Sequence, residues 1–356
     1  MAVTTASHAT SAPRTTTAPQ PTDALPDETV DAVVIGGGAA GLNGALTLAR
    51  SRRSVVVIDS GTPRNAPAEG VHGLLGLDGT PPAELLATGR EEVRRYGGLV
   101  VSGQVTAAAP AAASADGDLR FTVALADGRS VRARRLLVAT GLRDELPGIP
   151  GLAEHWGHGV VHCPYCHGWE VRDEPIGILA VGPASVHHAL LFRQLTDDLV
   201  YFTRGTELDQ DTRARFAARG IRVVDTQVTE VEAAADGTVA GVRLADGKRV
   251  ARRVLGVATR MQARTEGLEE LKLPTQDLPG GMGCHFATGM AGSTEVPGVW
   301  VAGNATDLMA QVGASAAAGA LAGARMNADL ATADTDAALL ATADTDTAPR
   351  AAHRAA

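Results

Sequence analysis

The sequence predicts an α/β protein built from two Rossmann-like nucleotide-binding units. Two observations predict it: a glycine-rich turn set between an apolar strand and a helix near residue 36, and an internal repeat of a strand-ending segment downstream. The length of 356 residues leaves room for two domains.

The first unit begins with the apolar run 31–35, DAVVI. The helix that follows, LNGALTLARS, carries Leu42, Ala45, Leu46 and Ala49 on one stripe. Between them Gly36, Gly38 and Gly41 match G-x-G-x-x-G. Gly36 permits a tight turn, Gly38 lets a pyrophosphate approach the backbone, and Gly41 lets the helix pack on the strand. Unpaired N–H groups and the positive dipole end of the helix face the phosphates. A second strand, SVVVID, ends at Asp59, placed to accept a ribose hydroxyl. The glycine pattern alone is weak, but strand, helix and acid in register make it specific.

The repeat sets LADGRSVRARRLLVATG, residues 125–141, against LADGKRVARRVLGVATR, residues 244–260, with no gap. Each copy has an Asp-Gly hairpin turn followed by an apolar strand ending in Ala-Thr. The chain therefore holds two related units. The second opens at PIGILAVG, residues 175–182. Its phosphate turn is degenerate: Ala184 and His187 stand at the second and third glycine positions, and Pro183 has no N–H. After the next strand, LVYFT, comes only Arg204, with no basic cluster for a 2′-phosphate. NADPH binding there is doubtful. The helix HHALLFRQL is expected to bury Leu190, Leu191 and Leu195, with His187 or His188 where a nicotinamide phosphate would otherwise lie.

Composition is that of a soluble protein with a sizeable core, 45% hydrophobic and 20% charged. Net charge is −8 and pI about 5.7, without the basic stripe of a nucleic-acid binder. The run RARFAARGIR, Arg213 to Arg222, reads as a solvated helix face. No apolar run reaches a membrane span, and the Ala/Thr/Pro-rich start has no secretory h-region. Residues 1–28 read as a disordered leader, and 331–356, with ATADTD twice, as a low-complexity tail. Three cysteines, Cys163, Cys166 and Cys284, are too few for a disulfide scaffold, so the expected compartment is the cytoplasm.

The stretch VVHCPYCHGWE, residues 160–170, admits three readings. Cys163-Pro164-Tyr165-Cys166-His167 fits covalent haem attachment, which the expected compartment disfavours. The thiols with His162 or His167 form part of a zinc site, which Cys284 and His285 would have to complete. A C-x-x-C at a helix start, followed by a histidine, also suits thiol–disulfide exchange, because helix N–H groups and His⁺ lower a thiol pKa. Tyr165 and Trp169 line a substrate pocket or pack in the core; His155 and His158 read as structural or rim residues, and Cys284 as a small, partly buried one.

The order of these features, closing with GVWVAGNATDLMAQVGASAAAGALAGARMNADL at 298–330, resembles the thioredoxin reductase-like flavoproteins over about residues 29–330. The resemblance implies an FAD-binding domain from 29–150 and 285–330. Inserted in it would be an NAD(P)H-like domain, 151–284, that carries the C-x-x-C. It implies that Gly36, Gly38, Gly41 and Asp59 hold the pyrophosphate and adenosine ribose of FAD, with Arg64 and Asn65 along the cofactor and the Val105 backbone at adenine. Thr140 and Gly141 match the family's A-T-G, Gly303-Asn304 replaces the usual Gly-Asp, and Gln311 and Val312 begin a helix against the flavin ring. CPYCHG, with His167 where true thioredoxin reductases have Asp, is similar to the dithiol oxidases that close the disulfides of gliotoxin, holomycin and romidepsin. That branch implies a small-molecule dithiol substrate, dioxygen as acceptor, no metal and a homodimer. The expected roles are Cys163 as the substrate-facing sulfur, Cys166 as the flavin-proximal one, His167 as base and His162 as assistant.

Overall fold

The computed structural model describes residues 24–111 and 118–347. Its chain begins with β1 (Val30–Ile35), α1 (Ala39–Arg50), β2 (Val55–Asp59), α2 (Pro82–Arg95), β3 (Leu99–Ser102), β4 (Val105–Pro110), β5 (Phe121–Leu125) and β6 (Ser130–Val138). These strands form one sheet in the order β3-β2-β1-β6-β5-β4. β1 lies parallel between β2 and β6, with Val33 opposite Val56 and Leu136. Ala32, Val33 and Val34 have no exposed surface. An unbroken apolar run of this kind suits a parallel strand covered on both faces, and not an alternating half-buried one.

The chain leaves this sheet through β7 (Leu142–Glu145) and builds a second: β8 (Val160–Val161), α3 (Pro164–His167), β9 (Ile176–Leu179), α4 (Ala184–Phe192), β10 (Leu199–Phe202), α5 (Gln210–Ala218) and β11 (Arg222–Val224). The meander β12 (Val228–Ala233), β13 (Val239–Leu244), β14 (Arg249–Ala251) and then β15 (Val254–Val257) follow. The second sheet runs β11-β10-β9-β15-β8. The sequence repeat has its counterpart here. Ile35 pairs with Val138 in the first sheet as Leu179 pairs with Val257 in the second. β6 is one strand that pairs with β5 through its first half and with β1 through its second. In the other copy those tasks fall to separate strands, β14 on β13 and β15 on β9.

The return passes through β16 (Arg260–Ala263), which pairs antiparallel with the outgoing β7, and through β17 (Thr275–Leu278) and β18 (Gly283–Phe286). β19 (Val299–Val301) then joins β6 in the first sheet, and α6 (Val312–Thr347) packs on α1. Glycine makes that packing close: a Cβ at Gly319 would sit 1.9 Å from Ala40 O.

Several expectations change. α1 buries Leu42, Ala45 and Ala49 as its stripe predicts, but Leu48 takes the fully buried place expected of Leu46. α4 buries Ser185, His188, Ala189 and Phe192; Leu190, Leu191 and Leu195 are only half-buried. The inner face is mixed, with Ser185 and His188 beside Ala189 and Phe192, and Leu190 and Leu195 pack at its edge. The segment read as a tail from 331 continues α6 as far as Thr347. Composition hid its anchors: Leu330 is fully buried, and Asp334 accepts from Arg53 and Arg134, each at 2.6 Å. Residues 1–23 of the expected leader and 348–356 lie outside the described residues. Arg213, Arg215 and Arg219 are exposed around the buried Phe216 of α5, as the solvated-face reading expects.

Candidate active site

A single cavity of about 950 Å³ runs from the glycine turn of the first sheet to the two cysteines of the second. It is at the upper end of the ~300–1,000 Å³ usual for small-molecule sites. All but one of the residues singled out for a cofactor line it: Gly36, Gly38, Asp59, Arg64, Asn65, Val105, Thr140, Gly141, Gly303, Asn304, Gln311 and Val312. The exception is Gly41, which lies one layer behind, where an added Cβ would fall 1.8 Å from Gly36 O. Gly36 has φ +107 and a Cβ there would strike Ala139 O at 2.3 Å. Gly38 meets nothing within 4 Å. It caps α1 with no side-chain acceptor, and no acid follows in the first turn. The first N–H groups of α1 thus have no side-chain acceptor of their own and are available to an anion. A glycine cradle that a methyl group would fill, backed by an uncapped helix, fits the pyrophosphate of FAD.

The walls are held by ion pairs. Asp59 accepts from Arg90 at 3.0 Å. Arg64 forks onto Asp144 with two bonds of 2.6 Å. Asp144 also accepts from Thr259 Oγ1 at 2.5 Å. Burial alone would raise the Asp144 carboxyl; the Arg64 guanidinium and the Thr259 hydroxyl outweigh it and hold the pKa below its ordinary value. Thr140 Oγ1 donates to Arg264 O at 2.8 Å, and the Val105 carbonyl accepts from Gln104 Nε2 at 3.2 Å.

At the other end Cys163 and Cys166 form a disulfide with Cα atoms 5.2 Å apart. Cys163 is the N-cap of α3, which extends only from Pro164 to His167, shorter than the 163–172 stretch suggested. The Cys166 N–H donates to Cys163 Sγ at 3.1 Å. Such a donor favours a thiolate at Cys163 when the bond opens. Both cysteines, His162, His167 and Tyr165 line the cavity. Trp169 does not; it is 69% exposed and lies against Arg172, whose guanidinium carbon is 4.2 Å from the ring centre.

Burial lowers the pKa of both histidines. At His162 Arg64 adds to the depression and Asp144 opposes it. Its Nδ1 lies 3.1 Å from Val257 O and 3.3 Å from the Thr259 N–H, so the tautomer selects one of the two. At His167 Glu170 opposes the burial, and the Nδ1 is buried without a protein partner. An imidazole kept neutral near pH 7 can accept a proton.

The structure adds particular contacts to the lining. His72, with Nε2 3.4 Å from Glu170 Oε1, comes from a loop with no motif. Asp144 lacked a local signal, whereas Thr259 was available as the repeat partner of Thr140. His188 is buried, donates to His162 O at 2.5 Å, and has its pKa lowered by burial to about 4. His155 is buried and His158 exposed, both away from the cavity lining. Cys284 is a half-buried free thiol. Among the described residues, no three His, Cys, Asp or Glu side chains converge as a metal site. The ligand set required by the zinc reading is not assembled around Cys163 and Cys166.

A nucleotide cradle and a two-cysteine disulfide opening on one cavity define an FAD-dependent disulfide oxidoreductase. Comparison with known proteins agrees. The family model described as pyridine nucleotide-disulphide oxidoreductase matches residues 30–323, and the chain belongs to that family. It is similar to thioredoxin reductase tcpT of Claviceps purpurea, 37% identical over 68% of this chain and 77% of that protein. To thioredoxin reductase sirT of Leptosphaeria maculans it is 30% identical over 85% and 95%. Among solved structures it resembles HlmI, with TM-score 0.83 and 44% identity over 91% of this chain and 99% of the other. An oxidoreductase from Agrobacterium tumefaciens follows at TM-score 0.78 and 35% identity, covering 86% and 99%.

Proposed function

We propose that this enzyme oxidises a small-molecule dithiol to an intramolecular disulfide at Cys163–Cys166, with dioxygen as the final acceptor. The observation that carries the proposal is the degenerate turn of the second unit. Pro183 offers no N–H, and the Val181 N–H is already bonded to Ser185 Oγ at 3.0 Å. Arg204 folds back to donate to Ala180 O at 3.0 Å instead of standing ready for a phosphate. A hydride donor has a poor seat, whereas the disulfide opens onto the cavity.

In the proposed cycle one substrate thiol gives its proton to His167, neutral because it is buried. The thiolate attacks Cys163 Sγ and Cys166 leaves as thiolate. The second substrate thiol, deprotonated in turn, attacks the substrate sulfur of the mixed disulfide. Cys163 then leaves as thiolate, a departure favoured by the Cys166 N–H at 3.1 Å. The cyclic disulfide departs, its two electrons now on the cysteine pair. FAD, when bound, supplies the acceptor for that pair, and dioxygen takes it onward as hydrogen peroxide. His162 steadies the site through its contacts with Val257 and Thr259. Gly36, Gly38, Gly41 and Asp59 would hold pyrophosphate and ribose. Arg64, Asn65, Val105, Thr140, Gly141, Gly303, Asn304, Gln311 and Val312 would complete the seat. The division into 29–150 with 285–330 and an inserted 151–284, a homodimer, and a cytoplasmic location belong to the same proposal; no helix among the described residues is long and apolar enough to cross a membrane.

The relatives named thioredoxin reductase support a second reading, a reductase fed by NAD(P)H or another donor. One experiment separates the two. The yellow holoenzyme is mixed anaerobically with NADPH, and separately with dithiothreitol in air while oxygen and peroxide are followed. Oxygen uptake with peroxide release supports the oxidase; prompt bleaching by NADPH overturns it.

A further inference from the structure

The stretch of α4 just after the failed phosphate turn has gained a different surface. Ala184, His187, His188 and Leu191 fall at i, i+3, i+4 and i+7, one stripe of the helix, and all four line the cavity that holds the disulfide. His188 is the inner member, fixed on His162 O. Ala184, His187 and Leu191 remain reachable from the cavity, and Tyr165, 68% exposed, stands on the neighbouring α3. This stripe offers two apolar side chains and one imidazole where a dinucleotide would need phosphate donors.

Most formal charges in the lining are already committed to protein partners. Arg64 is forked on Asp144, Arg143 pairs with Glu266, and Asp59 with Arg90. Arg264 donates to Thr62 O and Oγ1 at 3.1 and 3.2 Å. A carboxylate entering this space would lose water and find the guanidiniums of Arg64 and Arg143 already paired with acids and that of Arg264 turned onto Thr62. An uncharged body loses little water and gains apolar contact.

We infer that Ala184, His187 and Leu191, with Tyr165, recognise the non-reacting body of the dithiol, and that this body is uncharged and largely apolar. The inference rests on the dithiol-oxidase reading and adds the residues that set its specificity. Dihydrolipoamide and dihydrolipoate test it, because they share a body and differ by one carboxylate. Dithiothreitol, with almost no body, is the reference. For the wild-type holoenzyme kcat/KM is expected to favour dihydrolipoamide over dihydrolipoate by about tenfold or more. In Leu191→Asp, the ratio of kcat/KM for dihydrolipoamide to that for dithiothreitol should fall about tenfold. Ala184→Asp, at an exposed position, repeats the test should Leu191→Asp fail to fold, and flavin absorbance reports folding in both. Equal use of the two lipoyl substrates, or an unchanged ratio in a folded variant with dithiol turnover retained, overturns the recognition surface alone. Turnover of none of the three dithiols by the wild type overturns the oxidase reading and the surface together.

Discussion

Gly38→Ala separates the cofactor cradle from the fold. Gly38 has φ −78, which alanine adopts freely, and its Cβ would meet no heavy atom within 4 Å. The substitution should therefore leave the apoprotein intact, or stabilise it by ~0.4–1 kcal/mol through the unfolded chain. The same methyl group intrudes on the uncapped end of α1. Losing one charge-assisted hydrogen bond to the pyrophosphate costs ~1.5–3 kcal/mol. That weakens FAD by about ten- to a hundredfold. Gly41→Ala is the contrast: its Cβ falls 1.8 Å from Gly36 O, so backbone must move and the fold itself should suffer. The assay is thermal unfolding of the apoproteins together with FAD titration by fluorescence quenching. If Gly38→Ala holds FAD as tightly as the wild type, the phosphates do not lie against this turn, and the assignment of the cradle fails.

Cys166→Ser should keep its yellow colour and lose turnover, since the disulfide cannot form; oxygen uptake within a few-fold of wild type would end the relay scheme. His167→Ala should slow turnover and move the acid limb of the pH–rate profile upward. Burial holds the His167 pKa below 6.5, so the wild-type base is neutral well into mild acid, whereas the variant relies on a substrate thiol titrating near ~8.5. An unmoved limb removes His167 from proton transfer. His188 predicts an acid sensitivity of the fold. Burial lowers its folded pKa to about 4 from the ordinary 6.5, so between those pH values the unfolded chain binds the extra proton and stability falls as pH drops. The full span is worth about 3 kcal/mol, lost by pH ~4. His188→Gln should flatten that part of the pH dependence in urea unfolding, and an identical slope in both proteins refutes it.

The glycine turn between β1 and α1 is legible locally, because its glycines stand at fixed spacing within six residues, Gly36 to Gly41. The repeat carried the second sheet for a similar reason: an Asp-Gly turn and an apolar strand are short-range objects. α4 was misjudged because three leucines outweighed two histidines on any hydropathy reading, while the neighbouring His162 carbonyl made His188 the inward residue. The contact of His72 with Glu170 and the role of Asp144 have no local signal, because the partners, Glu170 and Arg64, lie far along the chain. The C-terminal half of α6 was hidden by low complexity, which records composition but not the arginines, Arg53 and Arg134, that its Asp334 reaches.

The cavity is lined at one end by Gly36 and Gly38 and closed by Gly303, Asn304, Gln311 and Val312. The first of these leave the ribosome early and the last near the close of translation, so a nascent chain exposes half a flavin grip for most of its synthesis. Flavin can be captured firmly only once β19 has slotted beside β6 and α6 has settled on α1. A product truncated before residue 312 would carry the whole phosphate turn and both active cysteines, yet stay colourless.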